Sequence, residues 1–290
     1  MKKRIILVFL SHLLVFYFGY NAYRYGIENN NKIFPITKFL KRNFLESKGT
    51  KSSASQRKIN VFSEVSLKSK VLCPKPENAY VIIGFGQSNS ANSAGHRFEG
   101  NGNAVNYFDG SCYIASDPML GTTGRQGSLW LPLSNRLQVG EKTIVLATFG
   151  VDGTRVEQWL DGNYLYPFYK ENLSKLKETY PSPDAAVWIQ GESDVATPKE
   201  NFELDLAKWL TILSKDLPQT TLYITGTSYC SGNASHSVLE AQKRLSQSLG
   251  GVYVGSTDSL VQSQYRYDDC HFSEKGVNAL ADLISSSWVK

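Results

Sequence analysis

Five short runs rich in β-branched and small apolar residues, at 79–85, 143–149, 185–190, 221–225 and 252–255, recur along the last two thirds of the chain. Most are followed by a turn and an amphipathic helical segment. That alternation is the pattern of a parallel sheet covered by helices on both faces, because parallel neighbours need a long crossover connection and bury both sides of each strand. Two helical stripes are clear: Phe202, Leu206, Trp209, Leu210, Leu213 and Leu217, and then Val277, Leu280, Ala281, Ile284 and Trp288. Their spacing is that of core-facing sides of helices. The stretch 90–142, rich in Gly and Asn, is too long for an ordinary connection and reads as an insertion that shapes a site.

The start of the chain is different. Lys2, Lys3 and Arg4 precede an apolar run from Ile5 to Tyr20, continuing to Tyr23 with Asn21 as its polar interruption. No small-x-small cleavage pattern follows, so the expectation is an uncleaved signal-anchor at 5–23, a cytoplasmic basic end at 1–4, and everything after it outside the cytoplasm. A cleaved, secreted form is the alternative. Residues 24–75 are basic, polar and aperiodic and read as a stem, leaving 76–290 as the catalytic domain. Residues 1–75 carry 15 Lys and Arg against 3 Asp and Glu, and residues 76–290 carry 16 against 23. The globular part is therefore mildly acidic, which excludes nucleic acid as its partner because phosphate binding needs clustered cations. Oligomeric state is not legible.

In a parallel sheet the useful residues lie at the carboxyl ends of the strands. The first strand leaves through Gly86-Gln87-Ser88-Asn89, which puts a hydroxyl on a sharp turn. The second leaves through Gly150-Val151-Asp152-Gly153-Thr154-Arg155, where a glycine N–H can approach a ligand oxygen closely. The third leaves through Gln190-Gly191-Glu192-Ser193-Asp194, an amide followed by two carboxylates suited to bracing a loop. After the fifth comes Asp268-Asp269-Cys270-His271, an acid three residues ahead of a base. His12 lies in the anchor, and His96 and His236 sit in polar loop sequence without an acid at that spacing, so His271 is the best base. Together these supply a nucleophile, a base, an orienting acid and oxyanion donors, the requirements of acyl transfer. The Asp and Glu residues near these exits have no His at ligand spacing, so no metal is expected, and Gly121, Gly124 and Gly127 lack the Lys-Ser/Thr ending of a phosphate loop; no cofactor is expected.

The blocks G-Q-S-N at 86–89, D-G-T-R-V-E-Q-W at 152–159, W-I-Q-G-E-S-D at 188–194 and D-x-x-H at 268–271, with D-P-M-L-G at 117–121 and G-S-L-W-L-P-L at 127–133, resemble the sialate O-acetylesterase family (carbohydrate esterase family 6-like) of the SGNH/GDSL hydrolases. The resemblance implies a flavodoxin-like three-layer αβα sandwich on a five-stranded parallel sheet. It also implies Ser88 as nucleophile, His271 as base and Asp268 as its orienting acid, with the oxyanion held by Ser88 N–H, Gly153 N–H and Gln190. Glu192 and Asp194 would support the loop. Gln87 and Asn89 would support the nucleophile turn or touch substrate, and Arg155 would bind a sugar carboxylate or stay solvated.

The implied activity is removal of O-acetyl groups from an acetylated glycan. The rivals are a membrane-tethered O-acetyltransferase, in which a sugar hydroxyl resolves the same acyl-enzyme, and an inactive glycan-binding protein. In the flavodoxin-like order the fourth and fifth strands are neighbours, so their exit loops would bring Cys230 and Cys270 together and leave Cys73 for Cys112. Buried free thiols are the alternative. An even cysteine count outside the cytoplasm fits disulfides.

Overall fold

The computed structural model describes residues 58–288. The expected basic end at 1–4, the anchor at 5–23 with His12, and the first part of the stem lie outside the described residues. Among the described residues no helix is long and apolar enough to cross a membrane.

Eight strands form one sheet: β1 (Lys70–Val71), β2 (Ala79–Gly86), β3 (Ala104–Phe108), β4 (Ser111–Ile114), β5 (Thr143–Thr148), β6 (Ala185–Ile189), β7 (Thr221–Gly226) and β8 (Val252–Ser256), in the spatial order β1-β4-β3-β5-β2-β6-β7-β8. Strands β3, β5, β2, β6, β7 and β8 pair in parallel, whereas β4 is antiparallel to β3 and β1 to β4. The sheet is thus mixed and eight-stranded rather than parallel and five-stranded. The three added strands come from segments that read as stem and insertion. Asp109 and Gly110 both take positive φ, 47° and 75°, and close the β3–β4 hairpin, the backbone that the right-handed twist of two strands favours at a two-residue turn.

The helices are α1 (Trp130–Ser134), α2 (Leu165–Thr179), α3 (Lys199–Asp216), α4 (His236–Ser248) and α5 (Glu274–Ser286). Successive strand residues point to opposite faces, and the two cores divide accordingly. Val81, Ile83 and Phe85 pack with α2, α3 and α4, whereas Ile82, Leu146 and Val187 pack with α1 and α5. The three-layer architecture follows. A buried aromatic group stiffens the first core beneath the strand exits: Phe85 lies 5.3 Å from Trp188, which lies 5.4 Å from Trp159 and 5.3 Å from Trp209 between ring centroids.

The packed domain begins before residue 76. Phe62 is buried with Tyr113 and Leu120, its N–H bonds Thr122 O at 2.8 Å, and Gly121 N–H returns to Phe62 O at 2.9 Å. β1 adds to the sheet edge, and a Cys73–Cys112 disulfide, with Cα atoms 5.1 Å apart, fastens it there. A second disulfide joins Cys230 to Cys270 with Cα atoms 4.2 Å apart. Both fit an oxidising compartment.

Candidate active site

β2 lies at the middle of the parallel strands. The chain leaves it for β3–β5 on one side and later builds β6–β8 on the other. Such a switch point opens a crevice at the carboxyl ends, and Ser88 stands there. Gly86 makes the turn possible: its φ is +131°, and a Cβ would collide with the Ile189 carbonyl. Ser88 then begins a single 3-10 turn, Ser88–Ser90, closed by Ala91 N–H on Ser88 O at 2.9 Å.

The exit of β5 runs alongside. Val151 N–H bonds Gly86 O at 2.9 Å, and Asp152 N–H bonds Thr123 Oγ1 at 2.8 Å. Gly153, at φ +66°, has open space where a side chain would stand. Among the described residues neither Ser88 N–H nor Gly153 N–H has a protein acceptor. Two donors therefore remain at the mouth of the crevice.

The loop after β8 brings in the acid and the base. Asp268 Oδ2 meets His271 Nδ1 at 2.6 Å, while its Oδ1 accepts the His271 N–H at 2.6 Å and the Cys270 N–H at 3.0 Å. Desolvation pushes the Asp268 carboxyl up, but those hydrogen bonds, led by the His271 ring, outweigh it and hold the pKa below its ordinary value. The carboxylate is thus kept charged, as an orienting acid must be. This loop abuts the nucleophile loop: Gly95 N–H bonds Phe272 O at 2.9 Å, and Asn89 Nδ2 lies 3.5 Å from Cys270 O. Among the described residues no hydrogen bond joins Ser88 Oγ to His271 Nε2, a common state of such pairs before substrate binds.

Gln190 requires a correction. It is fully buried, and its Nε2 donates to Thr154 O, to Asp194 Oδ2 at 3.0 Å and to Gln87 Oε1 at 3.1 Å. No donor is left for an oxyanion. The amide instead ties the second and third strand exits together, with Gln87 Oε1 also accepting Ser193 N–H at 3.1 Å. Asp194 accepts Val156 N–H at 3.2 Å, and burial pushes its pKa up to about 7 against the bonds from Gln190 and Val156. Glu192 accepts from Asn89 Nδ2 at 2.6 Å, and burial likewise pushes its pKa up. Arg155 pairs with Glu157 at 2.6 Å beside a pocket of about 300 Å³ that also contains Ser193 and Asp205. His96 is exposed, and His236 starts α4 rather than lying in a loop, paired at 3.2 Å with Glu240 on the surface.

Sequence reasoning missed Arg266. It is 1% exposed, with Nε on Leu260 O at 2.9 Å, Nη2 on Thr257 O at 3.4 Å and Nη1 on Cys270 O, and its guanidinium lies 4.3 Å from the Phe272 ring centroid. The carbonyl it grips immediately precedes His271. An arginine two residues before an Asp-x-x-His block is a weak signal, because arginines are mostly exposed.

A serine on a glycine-strained turn at the switch point, with an Asp–His pair delivered from the last strand exit, defines an α/β hydrolase of the SGNH type. The chain belongs to the carbohydrate esterase, sialic acid-specific acetylesterase family, whose profile matches residues 128–290, and it is a carboxylic ester hydrolase. Solved structures with a similar fold include a protein from Arabidopsis thaliana (18% identity, TM-score 0.58, covering 72% of this chain and 97% of that one) and NanS (11%, 0.51, 74% and 98%). A protein described as a GDSL-like lipase from Parabacteroides merdae is also similar (16%, 0.52, 74% and 98%). No curated protein matches the sequence.

Proposed function

We propose that this protein removes O-acetyl groups from a carbohydrate through an acetyl-Ser88 intermediate. The observation that carries the reading is the Asp268–His271 pair, joined at 2.6 Å and held against the nucleophile loop. On substrate binding, Ser88 Oγ attacks the ester carbonyl carbon as His271 Nε2 takes its proton. Asp268 keeps the proton on Nδ1 and stabilises the imidazolium. The oxyanion is met by Ser88 N–H and Gly153 N–H, two fixed donors aimed where charge develops. Collapse expels the sugar hydroxyl, which receives the proton from His271. Water then repeats the sequence and releases acetate, so no metal or cofactor takes part.

The basic residues Lys2, Lys3 and Arg4 ahead of the apolar run that starts at Ile5 support tethering at a membrane, with the domain acting on an envelope or extracellular glycan. The test is acetate release from a panel of acetylated glycans by the purified protein. Release that disappears in Ser88→Ala supports the reading; hydrolysis of simple esters with no release from any glycan overturns the carbohydrate assignment.

A further inference from the structure

The segment ahead of β1 does more than complete the fold. Phe62 anchors it between the cations of Lys68 and Arg125, each 5.6 Å from the ring centroid, and Glu64 pairs with Arg125 at 2.5 Å. Those clamps carry residues 58–60 to the wall of a pocket of about 200 Å³, whose other wall is the loop bearing Asp152, Gly153, Gln158 and Tyr164. Gly153 is the proposed oxyanion donor, so this hollow opens beside the ester-cleaving crevice. Its polar groups are available: among the described residues the Lys58 ammonium, the Asn60 amide and Gln158 Nε2 have no hydrogen-bond partner, Gln158 using only its oxygen, on Arg155 N–H at 2.7 Å. By contrast, Asp152 is already held by Ser93 Oγ at 3.1 Å. The hollow at the opposite end of the strands, by Ala186 and Thr220, has no such relation to the chemistry.

We infer that this pocket binds one sugar ring of the substrate, the unit adjoining the acetylated one, and that Lys58 and Asn60 are substrate-binding residues. A small concave site with unpaired amide and ammonium donors and an aromatic wall suits the hydroxyls and faces of a pyranose. The size, below the usual range for drug-sized ligands, limits it to a single ring. The preferred substrate is then an oligo- or polysaccharide rather than an acetylated monosaccharide. This rests on the carbohydrate esterase reading above.

The test compares the full chain with a Lys58→Ala/Asn60→Ala variant. Probes are 4-nitrophenyl acetate, acetylated xylo-oligosaccharide, acetylated chito-oligosaccharide and O-acetylated sialyl-lactose, each glycan beside its acetylated monosaccharide. The unaltered protein should favour an oligosaccharide over its monosaccharide by about tenfold or more in kcat/KM, and the variant should lose that preference through KM, since the contacts are uniform binding. Turnover of 4-nitrophenyl acetate should not change. Equal preference in both proteins, or equal losses on the aryl ester and the glycan, overturns the inference. Cleavage of the aryl ester alone, with no glycan turned over, overturns the carbohydrate reading and this inference with it.

Discussion

The two disulfides allow a controlled test of how the acid–base loop is held. They close nearly equal loops, with sequence separations of 40 for Cys230–Cys270 and 39 for Cys73–Cys112. In the chain-entropy account each stabilises the fold by about 4 kcal/mol. Replacing either pair by alanine should therefore lower Tm by a similar amount, roughly 8 to 16 °C for a domain of this size. Their effects on catalysis should differ. Cys270 immediately precedes His271, its carbonyl is gripped by Arg266 and approached by Asn89, and Ser231 N–H bonds Asp269 O at 2.9 Å across the same junction. Freeing that junction displaces the imidazole, and a misplacement near 1 Å costs up to about 100-fold. Cys73–Cys112 fastens β1 at the far edge of the sheet.

The assay is kcat on 4-nitrophenyl acetate at a temperature well below both melting transitions. The Cys230→Ala/Cys270→Ala variant should lose about 10- to 100-fold, and the Cys73→Ala/Cys112→Ala variant should stay near the unaltered rate. Unaltered kcat in the first variant, or equal losses in both, would refute the positioning argument while leaving the stability argument intact.

Other expectations follow from single residues. Arg266→Met leaves Leu260 O without its donor, takes one donor each from Thr257 O and Cys270 O, and leaves Glu192 without its nearby positive charge, so denaturant unfolding should show a loss of about 3–5 kcal/mol; a loss under about 1 kcal/mol would contradict the buried-anchor role. Burial pushes Asp117 up to about 6, against bonds from Phe98 N–H and the Ser128 hydroxyl and N–H, from an ordinary value of 3.8. A folded pKa above the unfolded one means that the folded state holds the proton more tightly, so this stabilisation is complete below pH 4 and is lost as pH rises to about 6. The difference is on the order of 3 kcal/mol. Asp194, raised to about 7, extends the same trend towards neutrality, and Asp194→Asn should flatten the fall in Tm between pH 5 and 8; an unchanged slope would contradict the assignment. With excess glycan acceptor and an activated acetyl donor, the protein should yield mainly free acetate; dominant transfer to the glycan would identify the transferase chemistry instead.

Much of the sheet was legible because its central strands are buried on both faces and read as unbroken apolar runs. The five expected segments differ from the observed strands by one residue at their ends. The edge of the sheet was not. β1 has only two residues, too short for any periodicity, and β3 and β4 lie in a stretch dominated by Gly and Asn. The signal for that hairpin was present in Asp109-Gly110 between Asn106-Tyr107-Phe108 and Cys112-Tyr113-Ile114. The arm at 58–75 looked like stem because lysines and serines interrupt its apolar residues without a sustained period, yet one buried aromatic and one cysteine suffice to dock it.

At the site, a spacing of three residues was enough to suggest that Asp268 and His271 meet, since one tight turn closes that distance. The direction of Gln190 was beyond such reasoning. Its amide is drawn inward by Thr154 O, Asp194 and Gln87, partners far apart in the chain, so the donor expected at the oxyanion became a brace instead. Arg266 was hidden for a related reason, because its carbonyl acceptors become a cage only once the loops after β8 fold back on themselves.

The central claim is that Ser88 carries the acetyl group. The direct measurement is the mass of the intact protein, and of the peptide containing Ser88, after acid quenching within the first turnovers on 4-nitrophenyl acetate. The account predicts one added acetyl group on Ser88, absent from Ser88→Ala and accumulating in Asp268→Asn, whose deacylation should be slowed by about 10⁴-fold. An acetyl group found on another residue, or full turnover by Ser88→Ala, would contradict it.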